Sequence, residues 1–236
     1  MVSAAADPPD GQPGPPGATR TVERALDLLD AVVAGPRDGS SLSELARAAG
    51  LSPATASRLL GTLVARGLLR RGEQGEYRPG PALTAIAASV LRSDTLYELA
   101  GPHLEELARE TGETANLGIA VDAGRALYLR QVPGGRLVQA GGWTGRTIPR
   151  RGTAMGWALA GEPGPHGYVV RSGALEPDVV AIAAPVHGPG GGIVAALTIL
   201  APSYRTGEQE LERYGLLLVE HCAALSLALG AGGTGS

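Results

Sequence analysis

The sequence predicts an α+β protein: an N-terminal winged helix-turn-helix, a linker helix, and a C-terminal domain of helices on an antiparallel sheet. Three observations carry this. Ser41–Arg71 holds two capped helical stretches joined at a glycine. A short arginine-bearing hairpin pattern follows them. From Glu113 the apolar period drops to about two and stays there until a last helical stretch near the C-terminus.

Residues 1–18 are rich in Pro, Gly and Ala with almost no large apolar groups, and are expected to be disordered. Thr21 to Ala34 is the first helix, with Val22, Ala25, Leu26, Leu29, Val32 and Val33 on the helical period and Gly35-Pro36 as its stop. Ser41 and Glu44 have the spacing of a capping box. Leu42, Leu45, Ala46 and Ala49 follow at helical spacing, and Gly50 suits the left-handed stop. Ser52 caps the next helix, with Pro53 at the first position, where its missing N–H costs nothing. Ala56, Leu59, Leu60, Leu63 and Val64 form its apolar face; Thr55, Arg58 and Thr62 form a polar line. The turn around Gly50 has the length a helix-turn-helix needs.

The second helix opens on short side chains, which lets its backbone approach a base edge or a phosphate. From Leu45 to Gly72 there are five arginines and no acidic residue. In a chain of net charge −3 this local excess is the footprint of a phosphate-facing surface. After Gly67, LLRR-GEQG-EYRPG reads as a hairpin carrying Arg70, Arg71 and Arg78, a wing able to reach backbone phosphates. The DNA-binding candidates are Ser52, Ala54, Thr55, Ser57, Arg58, Thr62, Arg70 and Arg71.

Pro81 opens a helix whose stripe of Leu83, Ile86, Ala87, Val90 and Leu91 suits packing on a partner subunit or the next domain. Ser93 or Asp94 caps another, which Gly112 stops. NLGIAVD and RALYLRQV read as a hairpin, with Arg136–Ala140 as a third strand. Residues 141–152 read as a loop and Thr153–Ala160 as a short helix. GYVVR, VVAIAAPV and GGIVAALTIL are strands, and Gly207–Leu229 is the final helix.

At 236 residues the chain has room for two modest domains. All 20 basic residues are arginine and phenylalanine is absent, which reflects G+C-rich codon usage more than function. A single cysteine, Cys222, leaves no disulfide within the chain and no Cys-based zinc site, and suits a reducing cytoplasm. No apolar run reaches membrane-spanning length, and there is no signal-peptide pattern. His103, His166, His187 and His221 lack metal-ligand spacing, and His187 falls in a predicted turn. There is no Gly-x-Ser-x-Gly elbow and no P-loop; GRTIPRRGT and GPGGG do not join a strand to a helix as a phosphate loop must. No catalytic residue, metal or cofactor is expected.

Residues 19–230 resemble the IclR family of bacterial transcriptional regulators. The pieces that carry the likeness are TVERALDLLDAV, LSELARAAGLSPATASRLLGTLVARGLL, YRPGPAL, LEELARETGETANLGI, RRGTAMGWALA, and EPDVVAIAAPV followed by GIVAALTILAP. Their order and spacing together are specific. The resemblance implies a winged helix-turn-helix, a linker helix and a GAF-like effector domain, assembled as a homodimer or dimer of dimers near promoters. It places Thr55 and Arg58 at recognition-helix positions. It places Gly152, Thr153, Ala154 and Met155 at a loop-to-helix start that touches an acidic effector, in keeping with the attraction of a helix N-terminus for carboxylates. The expected effector-binding set is Leu129, Gly152, Thr153, Ala154, Met155, Arg171, Ala181 and Thr198.

This chain departs from the family pattern in the short segment between Ala160 and Gly167, which implies the loss of a helical layer near the pocket. Arg171-Ser172 replaces an acidic pair, and Ala181 replaces a cysteine. A more apolar pocket, an anion paired with Arg171, and a disused pocket all stay open. The organisation expected is a tail over 1–18, the winged domain over 19–80, a linker and dimerisation helix over 81–94, the effector domain over 95–230 and a tail over 231–236. The function expected is a cytoplasmic, ligand-responsive regulator of double-stranded DNA, with a small organic acid as the suggested effector and no membrane partner. The alternative is a small-molecule binding module whose helix-turn-helix serves protein contacts only.

Overall fold

The computed structural model describes residues 19–137 and 141–232, which form two compact units, one ending at Ser89 and the other beginning at Val90. The tail expected over 1–18 and the last four residues lie outside the described residues.

The first unit contains α1 (Arg20–Val33), α2 (Leu42–Ala48), α3 (Pro53–Ala65) and a hairpin of β1 (Leu69–Arg71) and β2 (Tyr77–Pro79), followed by α4 (Pro81–Arg92). Its local chemistry is that of the sequence. Ser41 Oγ accepts from Glu44 N, and Glu44 Oε2 accepts from Ser41 N at 2.8 Å, closing the capping box. Gly50 has φ 62°, the left-handed turn between α2 and α3. Leu28, Val32, Leu45, Ala56, Leu60 and Leu63 close a core that Leu69 and Tyr77 of the hairpin complete. Along α4 no residue is buried, and Ile86 and Val90 are more than half exposed.

The second unit is one antiparallel sheet of order β5-β4-β3-β8-β7-β6. Its strands are β3 (Thr114–Ala120), β4 (Arg125–Val132), β5 (Thr147–Pro149), β6 (Val169–Ser172), β7 (Val179–His187) and β8 (Ile193–Pro202). Alternation along each strand assigns the two faces. Leu117, Ile182, Leu197 and Ile199 pack against α5 (Thr95–Thr111) and α7 (Glu208–Ala228). Tyr128, Ala183, Ala196 and Leu200 face the other way, onto α6 (Ala154–Leu159) and Trp143. Glu113, just before β3, is buried and grips Arg205 through both carboxylate oxygens, at 3.0 and 2.8 Å.

Some expectations need correction. Arg136 and Leu137 form a bend, not a third strand, and residues 138–140 lie outside the described residues. The expected loop over 141–152 contains β5, which pairs with β4 through Ala126↔Ile148. Three residues ending in Pro149 carry no period, and proline is tolerated because this is a sheet edge. In keeping with the helical layer expected to be missing there, segment 160–168 has no helix. His187 is the last residue of β7 and not part of a turn. Among the described residues no helix is long and apolar enough to cross a membrane.

Candidate nucleic-acid interface and effector cavity

In the first unit α3 turns its apolar side inward and leaves Ser52, Ala54, Ser57, Arg58, Gly61, Thr62 and Arg66 exposed. Small residues fill most of this face, so a rigid surface could come within contact distance of the helix backbone. Gly61 has no heavy atom within 4 Å of where its Cβ would be, so nothing inside the unit requires a glycine there. Arg58, Arg66 and Arg70 have no carboxylate partner among the described residues.

Three candidates are less available than expected. Thr55 is half-buried, and its Oγ1 lies 2.9 Å from Ser52 Oγ, which also accepts from Thr55 N. It belongs to the cap more than to the outer face. Thr62 Oγ1 donates to Arg58 O at 3.1 Å, leaving its oxygen as acceptor only. In the wing Arg71 folds back, with Nε on Gly75 O and its guanidinium beside the Tyr77 ring. Arg78 pairs with Glu76 at 2.9 Å, and the turn carries Glu73 as well. Arg70 is therefore the arginine the wing presents. Arg66, one turn beyond Thr62, belongs with the candidate set; it was counted in the arginine excess but not placed on the face.

In the second unit a small cavity lies on the sheet face under α6. Tyr128, Trp143, Thr153, Ala154, Met155, Arg171, Glu176, Ala181 and Leu200 are among its lining, and its volume is about 20 Å³. Of the expected set, Thr153, Ala154, Met155, Arg171 and Ala181 line it. Met155 lies directly over Gly118, where a Cβ would come within 2.3 Å of its sulfur. Thr153 Oγ1 accepts from Gly156 N and has its one proton within reach of the carbonyls of both Pro149 and Arg150, so its donor is already engaged. Arg171 stacks on Trp157 at 4.7 Å and donates to Val170 O.

The other three fall elsewhere. Leu129 is the extra residue of a β-bulge: Leu117 pairs with Arg130 and Gly118 with Tyr128, which skips it. It packs on the α5–α7 side, and Tyr128 takes the cavity position. Gly152, with φ 80°, borders a shallow surface groove with Arg150, Arg151 and Trp157. Thr198 is buried on the cavity face, two residues before Leu200, without lining the cavity itself.

Sequence reasoning named Thr198 but missed the rest of a row of buried polar groups on that face. Thr114 Oγ1, both amide atoms of Asn116, Thr198 Oγ1 and Trp143 Nε1 have no hydrogen-bond partner among the described residues. Burial also pushes the Tyr128 phenol well above its usual range. On the opposite face, the Nδ1 atoms of His103 and His221 lie 3.0 Å apart between α5 and α7. Among the described residues no group of three or more His, Cys, Asp or Glu side chains is arranged to hold a metal.

The comparisons with known proteins agree on one family. Residues 21–73 match the IclR helix-turn-helix domain, and residues 88–162 match the bacterial transcriptional regulator IclR C-terminal domain. The HTH-type transcriptional regulator BhcR of Paracoccus denitrificans (strain Pd 1222) is 26% identical over 90% of this chain and 88% of its own. The crystal structure of an IclR transcriptional regulator from Alicyclobacillus acidocaldarius superposes with a TM-score of 0.79 at 24% identity, over 90% of this chain and 100% of that one. An IclR homolog from Microbacterium hydrocarbonoxydans, solved in complex with 4-hydroxybenzoate, gives 0.73 at 22% identity, with the same coverage of both chains. At these identities the likeness to the two solved structures is one of fold.

Proposed function

The chain belongs to the IclR family of bacterial transcriptional regulators, and from that premise we propose that it binds duplex DNA through the exposed face of α3 and responds to a small molecule held under α6. It is a regulator and not an enzyme, as its relatives are named. The observation that carries the DNA reading is the face itself: short side chains from Ser52 to Thr62, with Arg58, Arg66 and Arg70 unpaired around it. Such a face can lie close to base edges while its arginines meet phosphates. We propose a homodimer, with one winged domain on each half-site.

A cavity of about 20 Å³ holds one water at most. An effector therefore enters only if part of the lining moves, such as α6, the Trp143 segment or the bend over residues 174–176. That requirement gives the ligand different affinities for two conformations, which is the condition for any regulatory effect. The relative solved with 4-hydroxybenzoate makes small aromatic acids and their isosteres the first probes.

The test is a gel shift with DNA upstream of the chain's own gene at two salt concentrations. Affinity should fall steeply with salt. Arg58→Ala should weaken binding by about 1–3 kcal/mol at fixed salt. Unchanged affinity in that variant rejects the α3 assignment. Absence of duplex binding even at low salt returns the chain to the reading in which the helix-turn-helix serves protein contacts.

A further inference from the structure

We propose that the effector presents an uncharged hydrogen-bonding group, a carboxamide or a hydroxyl, to the β3–β8 floor beneath the cavity, and that a carboxylate is disfavoured there. The inference rests on the cavity being the effector site and names the ligand class it takes.

The floor is a strip of neutral polar side chains. Asn116 pairs across the sheet with Thr198 on one side and Gln131 on the other, and Thr114 pairs with Leu200. Leu200 lines the cavity, so Thr114 beside it and Thr198 two residues before it flank the cavity wall. Thr114, Asn116 and Thr198 are each at most 1% exposed. Gln131 is used: its Oε1 accepts from Trp143 N at 2.7 Å. Asn116 keeps two donors and an acceptor unmet, and Trp143 Nε1 is a further donor. Unmet buried amides are costly, so a group that meets them gains affinity.

What meets them must both donate and accept. A carboxamide does so; a carboxylate accepts only, and sets its charge against Asn116 Oδ1. Among the described residues no cation on this floor would offset that charge. Arg171 lines the cavity, but its guanidinium lies on Trp157 and Val170 O, and Glu176 lines the same cavity with the opposite sign. Arg146 stacks on Trp143 but is exposed and is not part of the lining. The surroundings that raise the Tyr128 phenol likewise resist a second anion. Tyr128, Met155 and Leu200 supply the apolar wall for a ring.

The experiment is calorimetric titration of the full chain with an isosteric pair, 4-hydroxybenzamide and 4-hydroxybenzoate, with Trp143 fluorescence read in parallel in a Trp157→Phe background. The amide should bind at least about tenfold more tightly. Asn116→Leu, or Thr198→Val should the first variant misfold, should erase that preference, while Arg171→Ala leaves it in place. Tighter binding of the benzoate, lost in Arg171→Ala, overturns the neutral-ligand inference and leaves the effector cavity standing. A preference unaltered in a folded Asn116→Leu protein also overturns it, since the strip is then structural. If neither probe gives heat or a Trp143 response at millimolar concentration, the cavity reading itself fails.

Discussion

Glu113 concentrates, in one side chain, the cohesion of one end of the effector unit. Its carboxylate is 2% exposed, takes a two-pronged contact from Arg205, and has Arg136 Nε at 3.5 Å. Removing one member of a buried pair strands the other charge, a loss of about 3–5 kcal/mol. Arg205→Ala, which strands the buried Glu113, should lose that much in urea unfolding, whereas Arg136→Ala, at the half-exposed end of the cluster, should lose about 0–1 kcal/mol. Equal losses from the two variants would show that the buried contact is not the dominant one. Single residues also explain what the sequence concealed. Leu129 and Tyr128 differ by one position, and alternation alone cannot say which faces the cavity once a bulge breaks the register. Thr55 has the right spacing for an outward face, but its own helix cap claims it.

Among the elements, legibility follows the range of the interactions that define them. The capping box at Ser41, the Ser52 cap, the Gly50 turn and the helical stripes are local, and each is present where the sequence puts it. β5 is too short to carry a period, and the polar strip of Thr114, Asn116 and Thr198 exists only once β3 and β8 pair. The contact between α5 and α7 is of the same long-range kind. His103 and His221 are 118 positions apart in sequence, yet their rings meet edge to face at 5.3 Å. Burial, and then the charge His221 would carry, hold His103 below the usual value of 6.5. A depressed imidazole binds fewer protons folded than unfolded. The stability it allows is complete above about 6.5 and falls as pH drops toward the folded value. Melting temperature should therefore fall between about pH 7 and pH 5. His103→Gln should flatten that slope, and an unaltered slope in the variant would take the pair out of the acid response.

For the whole molecule, charge and exposed surface set the expectations. In a chain of net charge −3, Arg58, Arg66 and Arg70 stand without a carboxylate partner among the described residues on one helix-turn-helix and its wing, so the proposed attraction to DNA should be local and salt-sensitive. α4 buries nothing, with Ile86 53% and Val90 58% exposed, and a stripe of that kind calls for a partner surface. Light scattering at micromolar concentration should report a dimer, and Ile86→Asp should shift it toward monomer; a wild-type monomer would remove the paired half-site geometry. Gly61 adds a last consequence. A glycine in a helix interior carries a penalty of about 1 kcal/mol against alanine, and no neighbour in its own unit asks for the omission of a methyl. On the proposed DNA reading, thermal robustness and grip on an operator are therefore at odds at this position, and a drift toward alanine there in a hardier protein would be felt first by the promoter.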